Sequence, residues 1–245
     1  MPHISDKQAD IWKVDIFSYY KSHTECSLNN ILSPDELKKA DRLIIPDKRD
    51  QYISSCIVLR QILSCYLNTA PGELVFTYGP AGKPSLGGEH SGRLSFNMSH
   101  SHGKMLLGVS AAGEIGIDIE KVNKTRLMNK IASRKFTRSE LDFLENCDQE
   151  EYAERFCRLW TRKEAALKAA GTGLLFPMRN IDVSDAQSGQ SVFIEPVAPI
   201  FEIITRSDWY FYELESFEGF CAAVSMNFQP EKINIIRNAP GDFPR

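Results

Sequence analysis

The stretch FCRLWTRKEAALKAAG, residues 156–171, constrains this chain more than any other. Read as a helix, it carries Trp160, Glu164 and Lys168 at successive four-residue steps, so the three share one stripe. Tyr152, Phe156, Leu159, Leu167 and Ala170 supply an inward apolar face, and Gly171 or Gly173 closes the helix. An aromatic anchor, a carboxylate and a cation on one stripe point to a site that handles a metal and a phosphate. Upstream, residues 115–120 read IGIDIE. On a strand Asp118 and Glu120 face the same side, roughly 6.6 Å apart along the chain. Beside Glu164 they give three carboxylates able to converge on one hard cation. Mg²⁺ fits, because it needs few protein oxygens besides water and substrate phosphate.

The 245 residues suffice for one large domain or two ordinary ones, and 42% apolar with 25% charged residues is the balance of a folded protein. A net charge of −3 offers no chain-wide attraction for nucleic acid or an anionic membrane. The N-terminus lacks a basic-then-apolar signal pattern, and no run approaches the roughly 20 apolar residues of a membrane helix. Cys26, Cys56, Cys65, Cys147, Cys157 and Cys221 form no CxxC pair and no zinc spacing, so buried free thiols are expected. The expectation is a cytoplasmic protein.

In chain order, a strand is expected within residues 11–20. A capping box at Ser33–Glu36, with Pro34 first in the helix, opens a helix toward Ile45 that Pro46 stops. A longer helix follows over Arg49–Leu67, ended by Asn68 and Pro71. A short strand at Leu74–Tyr78 leads into the loop GPAGKPSLGGEHSGR, and strands return at LSFNMS, MLLGVSA and IGIDIE. Residues 126–171 read as helical, with a second capping box at Thr137 and Glu140. SVFIE, FEIIT, WYFYELE and FCAAVSM alternate as antiparallel strands, and the tail after Phe228 reads as a surface segment. GKMLLGVS and GFCAAVS echo one another. The fold class expected is α+β, a pseudo-dimer of two similar halves, residues 1–112 and 113–228, with the site in the cleft between them and 229–245 as a surface tail.

Each motif alone has an ordinary reading. Asp118 and Glu120 alternate with isoleucines as in any half-exposed strand. Glu164 and Lys168 form an i,i+4 pair worth about 0.3–0.5 kcal/mol on a surface helix. Lys163 points elsewhere, about 100° round the helix. Ser99, His100 and Ser101 suit a phosphate-binding loop, and Lys83 of GKP adds charge. No GxSxG, P-loop, GxGxxG or HExxH motif is present.

Taken together, GKP at residues 82–84, FNMSHS at 96–101, GIDIE at 116–120 and WTRKEAALK at 160–168 resemble the signature of 4′-phosphopantetheinyl transferases. The spacing and length are similar to the larger, monomeric surfactin-synthetase-activating (Sfp-type) branch. That resemblance spans residues 30–225. It implies transfer of the phosphopantetheine arm of coenzyme A to a serine of an apo acyl, peptidyl or aryl carrier protein, with release of adenosine 3′,5′-bisphosphate. By the same resemblance Asp118, Glu120 and Glu164 hold Mg²⁺ with the pyrophosphate, and Lys168 lies against it. His100 meets the 3′-phosphate, and Lys83 and Ser99 line the nucleotide end. Glu164 is the candidate base, directly or through a metal-bound water, with Lys163 assisting. Gln51 and Cys56 stand where the family often has arginine, leaving Lys48 or Arg49 as substitutes. Two other readings are a non-catalytic carrier-binding module and a metal-dependent nucleotide phosphohydrolase.

Overall fold

The computed structural model describes residues 4–16, 28–125, 127–184, 188–192 and 208–237. Its elements run β1 (Gln8–Asp15), α1 (Leu28–Ile31), α2 (Pro34–Asp41), α3 (Pro46–Leu67), β2 (Phe76–Tyr78), β3 (Pro84–Leu86), β4 (Ser95–Ser101) and β5 (Lys104–Ser110). They continue with β6 (Ile115–Lys121), α4 (Met128–Lys135), α5 (Arg138–Glu145), α6 (Tyr152–Ala170), β7 (Ser191–Val192), β8 (Trp209–Glu213), β9 (Phe220–Met226) and β10 (Lys232–Ile236). Helices and antiparallel strands are mixed, so the fold is α+β as expected.

Two four-stranded sheets form the frame, in the orders β10-β1-β5-β4 and β6-β9-β8-β7, and β2 and β3 make a separate hairpin. Strand alternation sets three apolar layers. Trp12, Val14, Leu107 and Val109 face α3, where Ile57, Ile62 and Leu63 cover them. Leu159, Ala166 and Leu167 of α6 join Trp209 and Phe211 on the second sheet. Between the sheets, Ala9, Ile11 and Leu106 meet Ile115, Ile117, Ile119, Ala222, Val224 and Met226.

The two sheets also join edge to edge, and they do so through side chains. Asn97 Oδ1 accepts from the Ile117 N–H at 2.9 Å, Ser99 Oγ from Ile119 at 3.4 Å and Ser101 Oγ from Lys121 at 3.3 Å. Three alternate residues of β4 thus each satisfy an edge N–H of β6, which among the described residues otherwise pairs with β9.

Both capping boxes are formed, at Ser33–Glu36 and Thr137–Glu140. Several local expectations need correction. Pro46 does not stop the first long helix. That helix ends at Asp41, and Pro46 opens α3, where its missing N–H costs nothing. The Gly/Pro-rich stretch after Tyr78 is not all loop, since Pro84–Leu86 pairs back onto Phe76–Tyr78. The tail is not merely a surface segment either: Lys232–Ile236 adds a parallel strand to β1, and Asn234 donates to Asp10 at 2.7 Å. FEIIT lies outside the described residues. Among the described residues no helix is long and apolar enough to cross a membrane.

Candidate active site

The site begins with the close packing of α6 on β6. Gly116 makes this possible, because a Cβ there would stand 2.1 Å from Ala169 N and 2.2 Å from Ala165 O. The same strand face then carries Asp118 and Glu120 toward the helix. Gly171, in the left-handed region at φ 68°, ends α6 after presenting Glu164 and Lys168 to that face.

Met98, Ser99, His100, Asp118, Glu120, Trp160, Glu164 and Lys168 line one open cleft of about 390 Å³. Lys168 Nζ sits 2.6 Å from Asp118 Oδ1 and donates to Ser99 Oγ at 2.9 Å. Ser99 Oγ donates to Asp118 Oδ1 at 2.9 Å, and Ser101 Oγ to Glu120 Oε2 at 3.0 Å. Asp118 Oδ2 is buried and has no hydrogen-bond partner among the described residues. An orphaned anionic oxygen beside two further carboxylates is a ligand set of hard oxygen donors, which fits Mg²⁺. Among the described residues no three ligating side chains are already drawn into a finished coordination cluster.

Electrostatics records the crowding. Burial, then the negative charge of Asp118, holds the Glu120 carboxyl above its ordinary value. Burial and Asp118 do the same to Glu164, with Lys168 opposing. His100 stands at the exposed rim, yet the protein mass beside its ring, then the Lys168 cation, holds the imidazole below its ordinary value. The cleft's aromatic wall is Trp160, stacked on Phe156 at 6.1 Å.

Asp118, Glu120, Glu164, Lys168, Ser99 and His100 are therefore brought together. Lys163 and Lys83 are not. Lys163 is fully buried on the other side of α6, 2.5 Å from Glu140 Oε2 and hydrogen-bonded to the Ile181 carbonyl. It fastens the capped end of α5 to the long helix, and burial holds its ammonium below the ordinary value. Lys83 donates to the Ala169 carbonyl at 2.8 Å and pairs with Glu114 at 2.5 Å, tying its loop to the C-terminal end of α6. Of the substitutes for the family's arginines, Arg49 pairs with Asp41 at 3.3 Å on an exposed surface.

The strand expected at LSFNMS runs on through Ser101, so its residues alternate: Ser99 and Ser101 are buried against the carboxylates, and His100 is exposed at the rim of the cleft. Ser101 thus reaches Glu120 rather than serving a phosphate-binding loop. The period-two match of Ser99 and Ser101 with Asp118 and Glu120 is the signal that could have found that contact.

Beyond Glu120 and Trp160 the cleft continues as an apolar groove of about 180 Å³ walled by Met128, Ile131, Phe156 and Cys157. A second groove, of about 470 Å³, shares Thr125 and Met128 with it and reaches Leu144 and Tyr152.

A model of the 4′-phosphopantetheinyl transferase superfamily matches residues 114–225, the part holding β6 and α6. The 4′-phosphopantetheinyl transferase HetI of Nostoc sp. is 34% identical over 196 residues, 80% of this chain and 78% of that protein. The 4′-phosphopantetheinyl transferase Sfp of Bacillus subtilis is 29% identical over 161 residues, 66% of this chain and 70% of that one. The crystal structure of Thermotoga maritima holo-[acyl-carrier-protein] synthase overlaps with a TM-score of 0.31 at 19% identity, over 46% of this chain and 61% of that chain.

Proposed function

The chain belongs to the 4′-phosphopantetheinyl transferase superfamily, and from that premise we propose that it transfers the phosphopantetheine arm of coenzyme A to a serine of an apo carrier protein, dependent on Mg²⁺, releasing adenosine 3′,5′-bisphosphate. The observation that carries this reading is the convergence of Asp118, Glu120, Glu164 and Lys168 in one cleft.

Asp118, Glu120 and Glu164 would hold the cation, whose bound charge would neutralise the pyrophosphate oxygens and the departing phosphate. The acceptor serine Oγ attacks the phosphorus bearing the pantetheine arm, and the P–O bond to the adenosine bisphosphate breaks. Glu164 takes the serine proton. It does so directly or through a water bound to the cation it helps to hold. Lys168, at the base of the cleft, meets the charge on the leaving phosphate. His100, at the rim, offers a ring N–H to the 3′-phosphate. Ser99 keeps the first inner position beside Asp118 and Lys168. Lys163 and Lys83 take no part in the chemistry, since their ammonium groups are bound elsewhere.

The carrier docks along the grooves that lead away from Glu120. Beside the groove next to Glu120, Lys121, Lys124, Lys130, Arg134 and Lys135 stand with no Asp or Glu between them in sequence, so an acid-rich carrier helix complements this side. The two sheet-bearing halves, before and after the turn near residue 112, act as one monomer around the cleft. Unpaired thiols at Cys56, Cys65, Cys147, Cys157 and Cys221 accord with a reducing, cytoplasmic setting.

Intact-protein mass spectrometry of an apo carrier incubated with the chain, coenzyme A and Mg²⁺ tests this. One added phosphopantetheine is expected, lost with Glu120→Ala and with chelator. Coenzyme A cleaved without labelling of the carrier would replace the transferase with a phosphohydrolase. Coenzyme A bound but neither cleaved nor transferred would leave a carrier-binding module.

A further inference from the structure

Two serines of β4 make the same pair of contacts to β6, one rung apart, although Ser99 Oγ also accepts from Lys168 at 2.9 Å and Ser101 Oγ also meets His102 Nδ1 at 3.1 Å. Ser99 Oγ accepts from the Ile119 N–H and donates to the Asp118 carboxylate. Ser101 Oγ accepts from the Lys121 N–H and donates to the Glu120 carboxylate. Each hydroxyl therefore holds a site carboxylate by its oxygen and, at the same moment, the backbone of the residue that follows it. Asn97, one rung earlier, makes only the backbone contact to Ile117. The residue across from it is Gly116, which has no side chain to hold. The strand supplies both a clamp and, in Asn97, a built-in comparison without one.

We propose that Ser101 is a positioning residue for Glu120, fixing its carboxylate toward the cation site as Ser99 fixes that of Asp118. A glutamate has three side-chain torsions to fix, and the like charge of Asp118 repels its carboxylate. The Ser101 hydroxyl, buried at 8% exposure, opposes that push with a donor at 3.0 Å and is itself held by the Lys121 N–H. Glu120 lines the cleft, and with Oε2 engaged its other oxygen is left for the cation. Ser101 touches neither substrate nor reacting atoms, so its effect reaches the chemistry only through Glu120. This inference rests on Glu120 being a metal ligand.

The test measures Mn²⁺ binding to the full chain by electron paramagnetic resonance of the free ion, with no substrate present and each variant's fold checked by circular dichroism. Ser101→Ala is expected to bind Mn²⁺ about tenfold more weakly, the low end of what loss of an outer-shell partner costs. Ser101→Thr, which keeps the hydroxyl and suits a strand, restores the affinity. Asn97→Ala lowers the melting temperature and leaves Mn²⁺ affinity unchanged. Glu120→Gln separates the two layers of the inference. If it weakens Mn²⁺ and Ser101→Ala does not, the positioning role is overturned. It is equally overturned if Ser101→Thr fails to restore binding or Asn97→Ala weakens it as much. If Glu120→Gln itself leaves Mn²⁺ affinity unchanged, the metal assignment falls and the positioning role falls with it.

Discussion

Asp118, Glu120 and Glu164 oppose one another in the metal-free chain, and the opposition has a sign. Glu120 and Glu164 both have folded-state values raised above the ordinary one, so the folded state holds their protons more tightly than the unfolded state. The stability they contribute is present at low pH and is lost as pH rises from the ordinary carboxylate value through the raised one. A divalent cation held at the proposed site would replace the missing protons, and by binding only the folded state it would raise the melting temperature. The rise on adding Mg²⁺ is therefore expected to be smaller at about pH 5 than at about pH 7.5, because protons already screen the site in acid. Differential scanning fluorimetry at the two pH values reads this, and an equal rise at both would contradict it. Lys163 makes the opposite kind of contribution. Lys163→Met leaves Glu140 buried without its cation and is expected to cost about 3–5 kcal/mol in a urea titration. Activity per folded molecule should survive at low temperature. Sequence proximity to Glu164 favoured a chemical role for Lys163, but a helix turns about 100° per residue and sends neighbours to different sides. Its partners, Glu140 and Ile181, are set by tertiary packing that no local pattern records.

Elements that depend on short-range chemistry were legible in the chain. Ser33 with Glu36 and Thr137 with Glu140 cap helices through contacts three residues apart, so each box can be read directly. The stripe of Trp160, Glu164 and Lys168 was legible for the same reason, and so was the shared face of Asp118 and Glu120. β10 was not, since its partner β1 lies at the other end of the chain and its own burial is incomplete. The side-chain seam between β4 and β6 was missed because it needs two strands aligned before its period has meaning. Gly116 ties this level to the site. Gly116→Ala places a methyl inside the van der Waals radius of α6 backbone atoms, which cannot swing aside as a side chain would. The helix must move away by the order of an ångström, at a cost of about 1–3 kcal/mol. Glu164 and Lys168 travel with it, so transferase activity should fall by more than the stability loss explains. Activity assayed well below the melting temperature, alongside the urea midpoint, separates the two effects. Full activity in this variant would mean that the close approach does not set the site geometry.

At the scale of the molecule, the layer between the sheets decides whether the two halves are independent. Ile11 and Leu106 come from the first, and Ile115, Ile117, Ile119, Val224 and Met226 from the second. Exposing even these side chains would cost on the order of 10 kcal/mol at about 1.5 kcal/mol each, comparable with the whole stability of an ordinary domain. The seam of Asn97, Ser99 and Ser101 would open with them and leave edge N–H groups of β6 unpaired. The halves should consequently unfold together, although their outer cores are separate. Two tryptophans report on those cores, Trp12 against α3 and Trp209 beneath α6. In a chain keeping only Trp12, through Trp160→Phe and Trp209→Phe, urea unfolding followed by fluorescence should coincide with that followed by far-ultraviolet circular dichroism. The chain keeping only Trp209 should show the same agreement within itself. Each comparison is made inside one variant, so differences in stability between variants do not enter. A fluorescence midpoint that departs from the dichroism midpoint would show one half melting while the other stands. The cleft would then be a hinge between separable domains, and the carboxylates of β6 would lose the β4 serines before they lost the helix.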